Sequence, residues 1–167
     1  MGTAVLLTGS NIGIRERFLH EAKCIIADKA GSITAYSEIY ESEPWGFDCE
    51  KRFLNMALMI ETNLAPLQLL EIIHQIETSM GRIRKNKTYE SRTIDIDIIF
   101  YDDIIMNTDN LVLPHPHFAE RRFAITPVND ICDNWLHPVL KKSVKQMLDE
   151  CKDKSQVALF TGHVNYY

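Results

Sequence analysis

Apolar residues along this chain fall into runs and stripes whose spacing predicts its elements before any chemistry is considered. Residues 3–9, TAVLLTG, have the length of a buried strand, and GSN at 9–11 supplies turn chemistry, with Asn11 placed to N-cap the next helix. Phe18, Leu19, Ala22, Ile25 and Ile26 recur at helical spacing, and Gly31 is positioned to stop that helix. SITAYSEIY at 32–40 predicts a strand, being rich in β-branched and aromatic residues. ESEPWGFDCEKR is a loop punctuated by Pro44 and Gly46. In FLNMALMIET (53–62) a period of two puts Leu54, Met56, Leu58 and Ile60 on a core face and Phe53, Asn55, Ala57, Met59 and Glu61 on the other. Pro66 opens a second helix, whose stripe of Leu69, Ile72, Ile73, Ile76 and Met80 ends at Gly81.

Residues 94–101 predict another strand, with Ile94, Ile96, Ile98 and Phe100 toward the core and Asp95, Asp97, Ile99 and Tyr101 opposite. Residues 111–113 add a short strand, LPHPHF is extended because proline biases its predecessor away from helix, and Ser143 with Gln146 forms a capping box that opens a helix ending near Cys151. No element is predicted for the last residues, 152–167. The order strand, helix, strand, strand, helix, strand predicts an α+β sandwich of the ferredoxin-like kind. Its sheet is mostly antiparallel, its helices cover one face, and the ligand site occupies the other.

Composition narrows the class. The 167 residues contain no repeat and no Gly/Pro/Ser-rich linker, so one domain is expected over 1–167. Hydrophobic residues at 46% and charged residues at 25% match an ordinary soluble globule; no run reaches the length of a membrane span, and no secretory leader is readable, so the cytoplasm is the default compartment. Cys24, Cys49, Cys132 and Cys151 form no CxxC pair and are read as free thiols. A net charge of -5 argues against a nucleic-acid partner.

Against that acidic background, Arg82, Arg84, Lys85, Lys87 and Arg92 cluster with Glu90 as their single anion. The adjacent Asp95 and Asp97 point the same way, about 6–7 Å apart. Their repulsion is about 0.6 kcal/mol in water but about 2–3 kcal/mol at an effective dielectric near 20. On an outer surface the pair means little; in a cleft a cation must compensate it. The loop cations themselves supply one such partner, and a Mg²⁺-bound polyphosphate gripped by arginines is the other. No P-loop and no protein-kinase signature is present, so phosphates would be handled by side chains and metal, and the 82–92 loop is expected to move until they arrive. Asn55 offers a donor pair and an acceptor to an amide-containing ring, and Phe53, Trp45 and Phe123 could stack on it. His115 and His117 make a poor zinc site without a third ligand, and His74 reads as packing or surface.

GSN, ESEPWG, FLN, GRIRKNKTYESRTIDIDIIFYDD and LPHPHFAERRFAITPV resemble, in order and spacing over about 4–135, the 6-hydroxymethyl-7,8-dihydropterin pyrophosphokinases of folate biosynthesis. The most specific part is R-T-x-D-x-D followed by P-H-x-x-x-x-x-R-x-F. The resemblance implies pyrophosphoryl transfer from ATP to 6-hydroxymethyl-7,8-dihydropterin, with AMP as product and two Mg²⁺ ions; a monomer is the default expectation, which the residues themselves do not decide. It implies Asp95 and Asp97 as metal ligands and catalytic residues with Arg82 and Arg92 on the phosphates. Glu77, Arg84, Arg92, Ile98, His115 and Arg121 would meet the nucleotide, and Ser42, Trp45, Phe53, Asn55 and Phe123 would form the pterin pocket. A different Mg²⁺-dependent transferase would share the aspartates without needing that pocket. An RNA-binding module of the same fold would suffer from carboxylates at the centre of its platform.

Overall fold

The central strand of the sheet is β4 (Phe53–Thr62), which pairs with three others, more than any other described strand. The structure, a computed structural model, describes residues 1–46, 50–82 and 92–162. Along one edge of β4 runs β1 (Gly2–Ser10), antiparallel from Gly2 opposite Thr62 to Ser10 opposite Leu54. The other edge is shared by β2 (Ser32–Tyr36) and β3 (Tyr40–Ser42). Outside β1 lies β5 (Asp95–Tyr101), and outside β3 lies β8 (Val157–Leu159); every one of these pairings is antiparallel. A separate hairpin joins β6 (Met106–Asn107) to β7 (Val112–Leu113).

The period of two decides which side chains each face presents. Leu54, Met56, Leu58 and Ile60 of β4 and Ala4 and Leu6 of β1 are fully or almost fully buried under Leu19, Ala22 and Ile26 of α1 (Arg15–Lys29) and Leu69, Ile73 and Ile76 of α2 (Pro66–Ser79). Each buried Leu, Ile or Met among them contributes about 1.5–3 kcal/mol when taken fully out of water, so this layer is a large source of stability. Pro66 stands at the start of α2 as expected. The expected capping box is formed: Gln146 N–H donates to Ser143 Oγ at 3.1 Å and Ser143 N–H to Gln146 Oε1 at 2.9 Å, opening α4 (Val144–Glu150).

The α+β architecture follows the expectation, and the second face adds detail to it. Val5, Leu7 and Ala57 pack there under Ala124, Ile125 and Val128 of α3 (Arg122–Cys132), with Val144 and Met147 of α4 beside them. Helices thus cover part of that face too, and the remainder is an open cleft.

Three further differences have local causes. The single strand expected at 32–40 is split into β2 and β3 at Ser37, which is buried and bonds twice to Ala57: its N–H donates to the Ala57 carbonyl and its Oγ accepts the Ala57 N–H, each at 2.9 Å. In β5 the register against β1 shifts, with Leu6 opposite Ile98 but Val5 opposite Phe100. A bulge exchanges faces beyond the extra residue. Phe100 therefore joins Ile99 in the α3 layer and Tyr101 turns to the α1–α2 layer, the reverse of the strict alternation. Finally, Asn11 does not cap α1, whose N-cap is Ile14 with no side-chain bond. No helix among the described residues is long and apolar enough to cross a membrane.

Candidate active site

The floor of the cleft is a row across three strands. Gly9 of β1 lies opposite Asn55 of β4 on one side and Asp95 of β5 on the other, and Leu7 lies opposite Ala57 and Asp97. The carboxylates precede the bulge, so the alternation read from sequence holds for them. Glycine at position 9 keeps the row open: a Cβ there would stand 3.1 Å from Asn55 Oδ1.

Two clefts meet at the Asp95 and Asp97 end of this row. The first, with about 530 Å³ of empty space, is lined by Ser42, Trp45, Phe53, Asn55, Arg121 and Phe123 together with Arg92, Asp95 and Asp97. The second, about 760 Å³, is lined by His74, Glu77, Arg82, Ile98, His115 and Pro116 and again by Arg92, Asp95 and Asp97. The two clefts share one wall.

In the first cleft Asn55 is 2% exposed and its Nδ2 donates to Ser42 Oγ at 2.9 Å, which fixes the amide orientation. The Arg121 guanidinium lies 4.3 Å from the centre of the Trp45 ring, a cation–π contact that holds one rim.

At the shared wall, Arg82 and Arg92 converge on the two oxygens of Asp95, Arg82 on Oδ1 and Arg92 on Oδ2. Arg82 also pairs with Glu77, which is 1% exposed and accepts the Ile96 N–H at 2.9 Å. Burial opposes the charge on Arg82, but Asp95 and Glu77 overcome it and hold the guanidinium above its ordinary range. Burial, reinforced by the neighbouring Asp95 charge, pushes the Asp97 carboxyl up to about 7, with Arg121 and Arg92 pulling the other way. A carboxylate kept out of water beside another carboxylate is an invitation to a cation. His115 is lowered to about 4, chiefly by burial and then by Arg121 and His117, so it is neutral at pH 7. Its Nδ1 accepts the His117 N–H at 3.2 Å, which leaves Nε2 as the protonated nitrogen.

Most residues expected at the site lie on these clefts. Ser42, Trp45, Phe53, Asn55 and Phe123 share the first; Glu77, Arg82, Ile98 and His115 share the second. Arg121, expected with the nucleotide group, lines the first cleft, and its charge also reaches His115 of the second. Ile98 is 4% exposed and belongs to the core layer as well. Arg84 and the expected motion of the loop fall on residues 83–91, and Cys49 on residues 47–49, all outside those described; Cys24, Cys132 and Cys151 are free thiols. Sequence reasoning did not single out Gly9 or Leu7 for the floor. Nor did it see Asn11 as a support: Asn11 Oδ1 accepts the Arg92 N–H at 2.7 Å, and the Asn11 N–H donates to the Arg92 carbonyl at 3.1 Å.

Residues 5–133 match the family model described as 7,8-dihydro-6-hydroxymethylpterin-pyrophosphokinase (HPPK). The chain belongs to the HPPK family. It is accordingly a pyrophosphokinase of folate biosynthesis acting on hydroxymethyldihydropterin, a reaction that implies ATP as co-substrate. The chain is 40% identical over 130 residues to the 2-amino-4-hydroxy-6-hydroxymethyldihydropteridine pyrophosphokinase of Bacillus subtilis (strain 168), covering 77% of each chain. It is 44% identical over 134 residues to the bifunctional protein FolKE of Lactococcus lactis subsp. lactis (strain IL1403), where it covers 80% of this chain but 38% of that one. The fold is shared with the Plasmodium falciparum HPPK-DHPS wild type with pteroate, at a TM-score of 0.72 and 19% identity, over 89% of this chain and 42% of that chain. This HPPK chain therefore spans less than half the length of those last two proteins.

Proposed function

We propose that the first cleft receives the hydroxymethyldihydropterin, the second receives ATP, and transfer takes place at the wall they share. The single observation that carries this reading is that Arg92, Asp95 and Asp97 line both clefts. Two substrates seated there would present their reacting groups to the same side chains, which is the proximity on which phosphoryl transfer chiefly depends.

The donor set suits magnesium. Among the described residues no three His, Cys, Asp or Glu side chains gather into a closed cage. Mg²⁺ does not need one, because it keeps several waters and takes one or two carboxylates plus substrate phosphates. Asp95 and Asp97 are the carboxylates that would hold it, with two ions as the resemblance implies, and the raised Asp97 carboxyl fits a group whose charge is completed by a cation. When bound, magnesium would offset the negative charge of the phosphates and of the attacking and leaving oxygens.

The chain's own residues bind and orient. Asn55, its amide set by Ser42, addresses the edge of the pterin while Phe53 and Phe123 flank its faces. Arg82 and Arg92, now satisfied by Asp95 and Glu77, are placed to turn their remaining donors to phosphate oxygens, with Arg84 assisting by resemblance. Neutral His115 offers its Nε2–H in the nucleotide cleft. The hydroxymethyl oxygen attacks the β-phosphorus of ATP in line, a new O–P bond forms, the bond from that phosphorus to the α–β bridging oxygen breaks, and AMP leaves with the electron pair; the hydroxyl proton passes to solvent. Incubation with ATP, Mg²⁺ and 6-hydroxymethyl-7,8-dihydropterin should give AMP and the pterin diphosphate in equal amounts by chromatography. ADP in place of AMP would overturn the assignment of the attacked phosphorus.

A further inference from the structure

Residues 5–133 match the family model, yet the cleft is braced by residues well beyond them. Asp153 is a two-way staple. Its Oδ2 accepts the N–H of Arg122 at 3.0 Å, its Oδ1 accepts the N–H of Ser155 at 2.9 Å, and its backbone carbonyl accepts Arg122 Nε–H at 3.0 Å. Arg122 is the first residue of α3, so its N–H is one of the helix donors that no helical carbonyl can satisfy. A carboxylate there also meets the positive end of an eleven-residue helix. The residues on either side of Arg122 are Arg121 and Phe123, both on the wall of the first cleft.

From Ser155 the chain continues into β8, which pairs with β3 in the register Val157 opposite Ser42, Ala158 opposite Glu41 and Leu159 opposite Tyr40. Phe160 N–H then donates to the Ile39 carbonyl at 2.8 Å. Ser42 is the residue that orients Asn55. The same short segment therefore grips one wall of the cleft at α3 and the facing wall at β3. Tyr40 adds a direct tie between the two walls, its hydroxyl donating to Asp130 of α3 at 2.8 Å.

We propose that Asp153 and strand β8 are positioning elements of the pterin cleft, setting the separation between the Arg121–Phe123 wall and the Ser42–Asn55 wall. This rests on the reading that the first cleft takes the pterin. The reacting phosphates lie at the other end of the site, against Arg82, Arg92, Asp95 and Asp97, so nucleotide binding should be insensitive to the staple.

The test uses the full chain carrying Asp153→Asn, Asp153→Ala or Ala158→Pro, with Lys152→Ala, an exposed neighbour, as control. The last of the three staple variants blocks the β8 ladder without touching Asp153. Steady-state kinetics are paired with equilibrium titration of the pterin, followed by its fluorescence, and of a non-hydrolysable ATP analogue. Losing a charge-assisted hydrogen bond should raise the pterin KM and Kd by about fivefold to tenfold in Asp153→Ala, less in Asp153→Asn, while the nucleotide constants and kcat stay within about twofold. Ala158→Pro should show the same split, so the inference survives if the Asp153 variants fail to fold. An unchanged pterin Kd in a folded Asp153→Ala protein, or equal rises for pterin and nucleotide, would overturn the proposal. A wild-type protein that does not bind the pterin at all would instead sink the cleft assignment on which it rests.

Discussion

Asn11 and Arg92 hold each other by two hydrogen bonds across a gap of 81 residues, one through the asparagine side chain at 2.7 Å and one between the backbones at 3.1 Å. Arg92 is the arginine that lines both clefts, so its backbone position governs where its guanidinium can reach. Asn11→Ala removes the acceptor of the Arg92 N–H, which should destabilise the fold by about 1–3 kcal/mol. It should also lower kcat about tenfold by loosening Arg92, because small misplacements at a reacting centre are amplified in rate. Thermal denaturation and turnover measured on the same preparation check both; wild-type turnover in a destabilised variant would remove Arg92 placement from the explanation.

Asn11 also marks where sequence reading stops. GSN is visible in the chain, but a local reading assigns its asparagine to the next helix, whereas its actual partner is far away in sequence. The faces of β4 and the orientation of Asp95 and Asp97 were legible because period-two alternation is a local property. The faces of Phe100 and Tyr101 were not, since the bulge exists only in the pairing of β5 with β1. Helix α3 carries an apolar stripe at Ala124, Ile125, Val128 and Cys132, but Pro127 sits inside it and argues against a helix when read alone. Burial of that stripe on Val5, Leu7 and Ala57 overrides the proline. The tail offered no strand pattern, because three residues at a sheet edge have too few buried positions to leave one.

Asp97→Ala should almost abolish turnover. Removal of a preorganised charge partner commonly costs about 3 kcal/mol or more of barrier, which is about a hundredfold or more in rate. The variant should fold at least as well as wild type, because it deletes a carboxyl whose ionised form burial and Asp95 disfavour. Near-normal AMP formation by a folded Asp97→Ala protein would remove this residue from the catalytic assignment.

The same carboxyl makes a pH prediction whose sign is fixed. Its folded-state pKa is raised from 3.8 to about 7, so its contribution to stability is fully present below the ordinary value and is lost as pH rises through about 7. In the absence of metal, the Tm of wild type minus that of Asp97→Asn should therefore fall as pH rises from about 4 to about 8, the asparagine variant supplying the baseline for all other titrations. With Asp97 holding the ion as proposed, saturating Mg²⁺ with an ATP analogue should flatten that fall. Parallel Tm curves for the two proteins without metal would contradict the raised value.

Asn55 and Gly9 should report on the pterin side alone. Asn55→Ala loses an oriented amide in a buried site and should raise the pterin KM by about tenfold or more, with the ATP KM little changed. Gly9→Ala should mimic it in weaker form, because the new Cβ would stand 3.1 Å from Asn55 Oδ1 and force that side chain to give by a few tenths of an ångström. If Gly9→Ala raised the ATP KM and spared the pterin KM, the row from Asn55 through Gly9 to Asp95 would not be the pterin floor.

Glu77 couples helix α2 to the site from below. Its carboxylate is 1% exposed, pairs with Arg82 and accepts the Ile96 N–H at 2.9 Å at the start of β5. Truncation leaves a buried N–H without its acceptor and withdraws one of the two anions holding Arg82, so Glu77→Ala should cost about 3 kcal/mol of stability. Glu77→Gln keeps an oxygen for Ile96 and should cost less while still releasing Arg82 toward Asp95 alone. The two variants therefore separate support from charge: urea denaturation should rank Glu77→Ala well below Glu77→Gln, whereas the ATP KM should shift by a similar factor in both. Equal stability losses would show that the Ile96 hydrogen bond contributes nothing and that Arg82 pairing alone accounts for the burial of this acid.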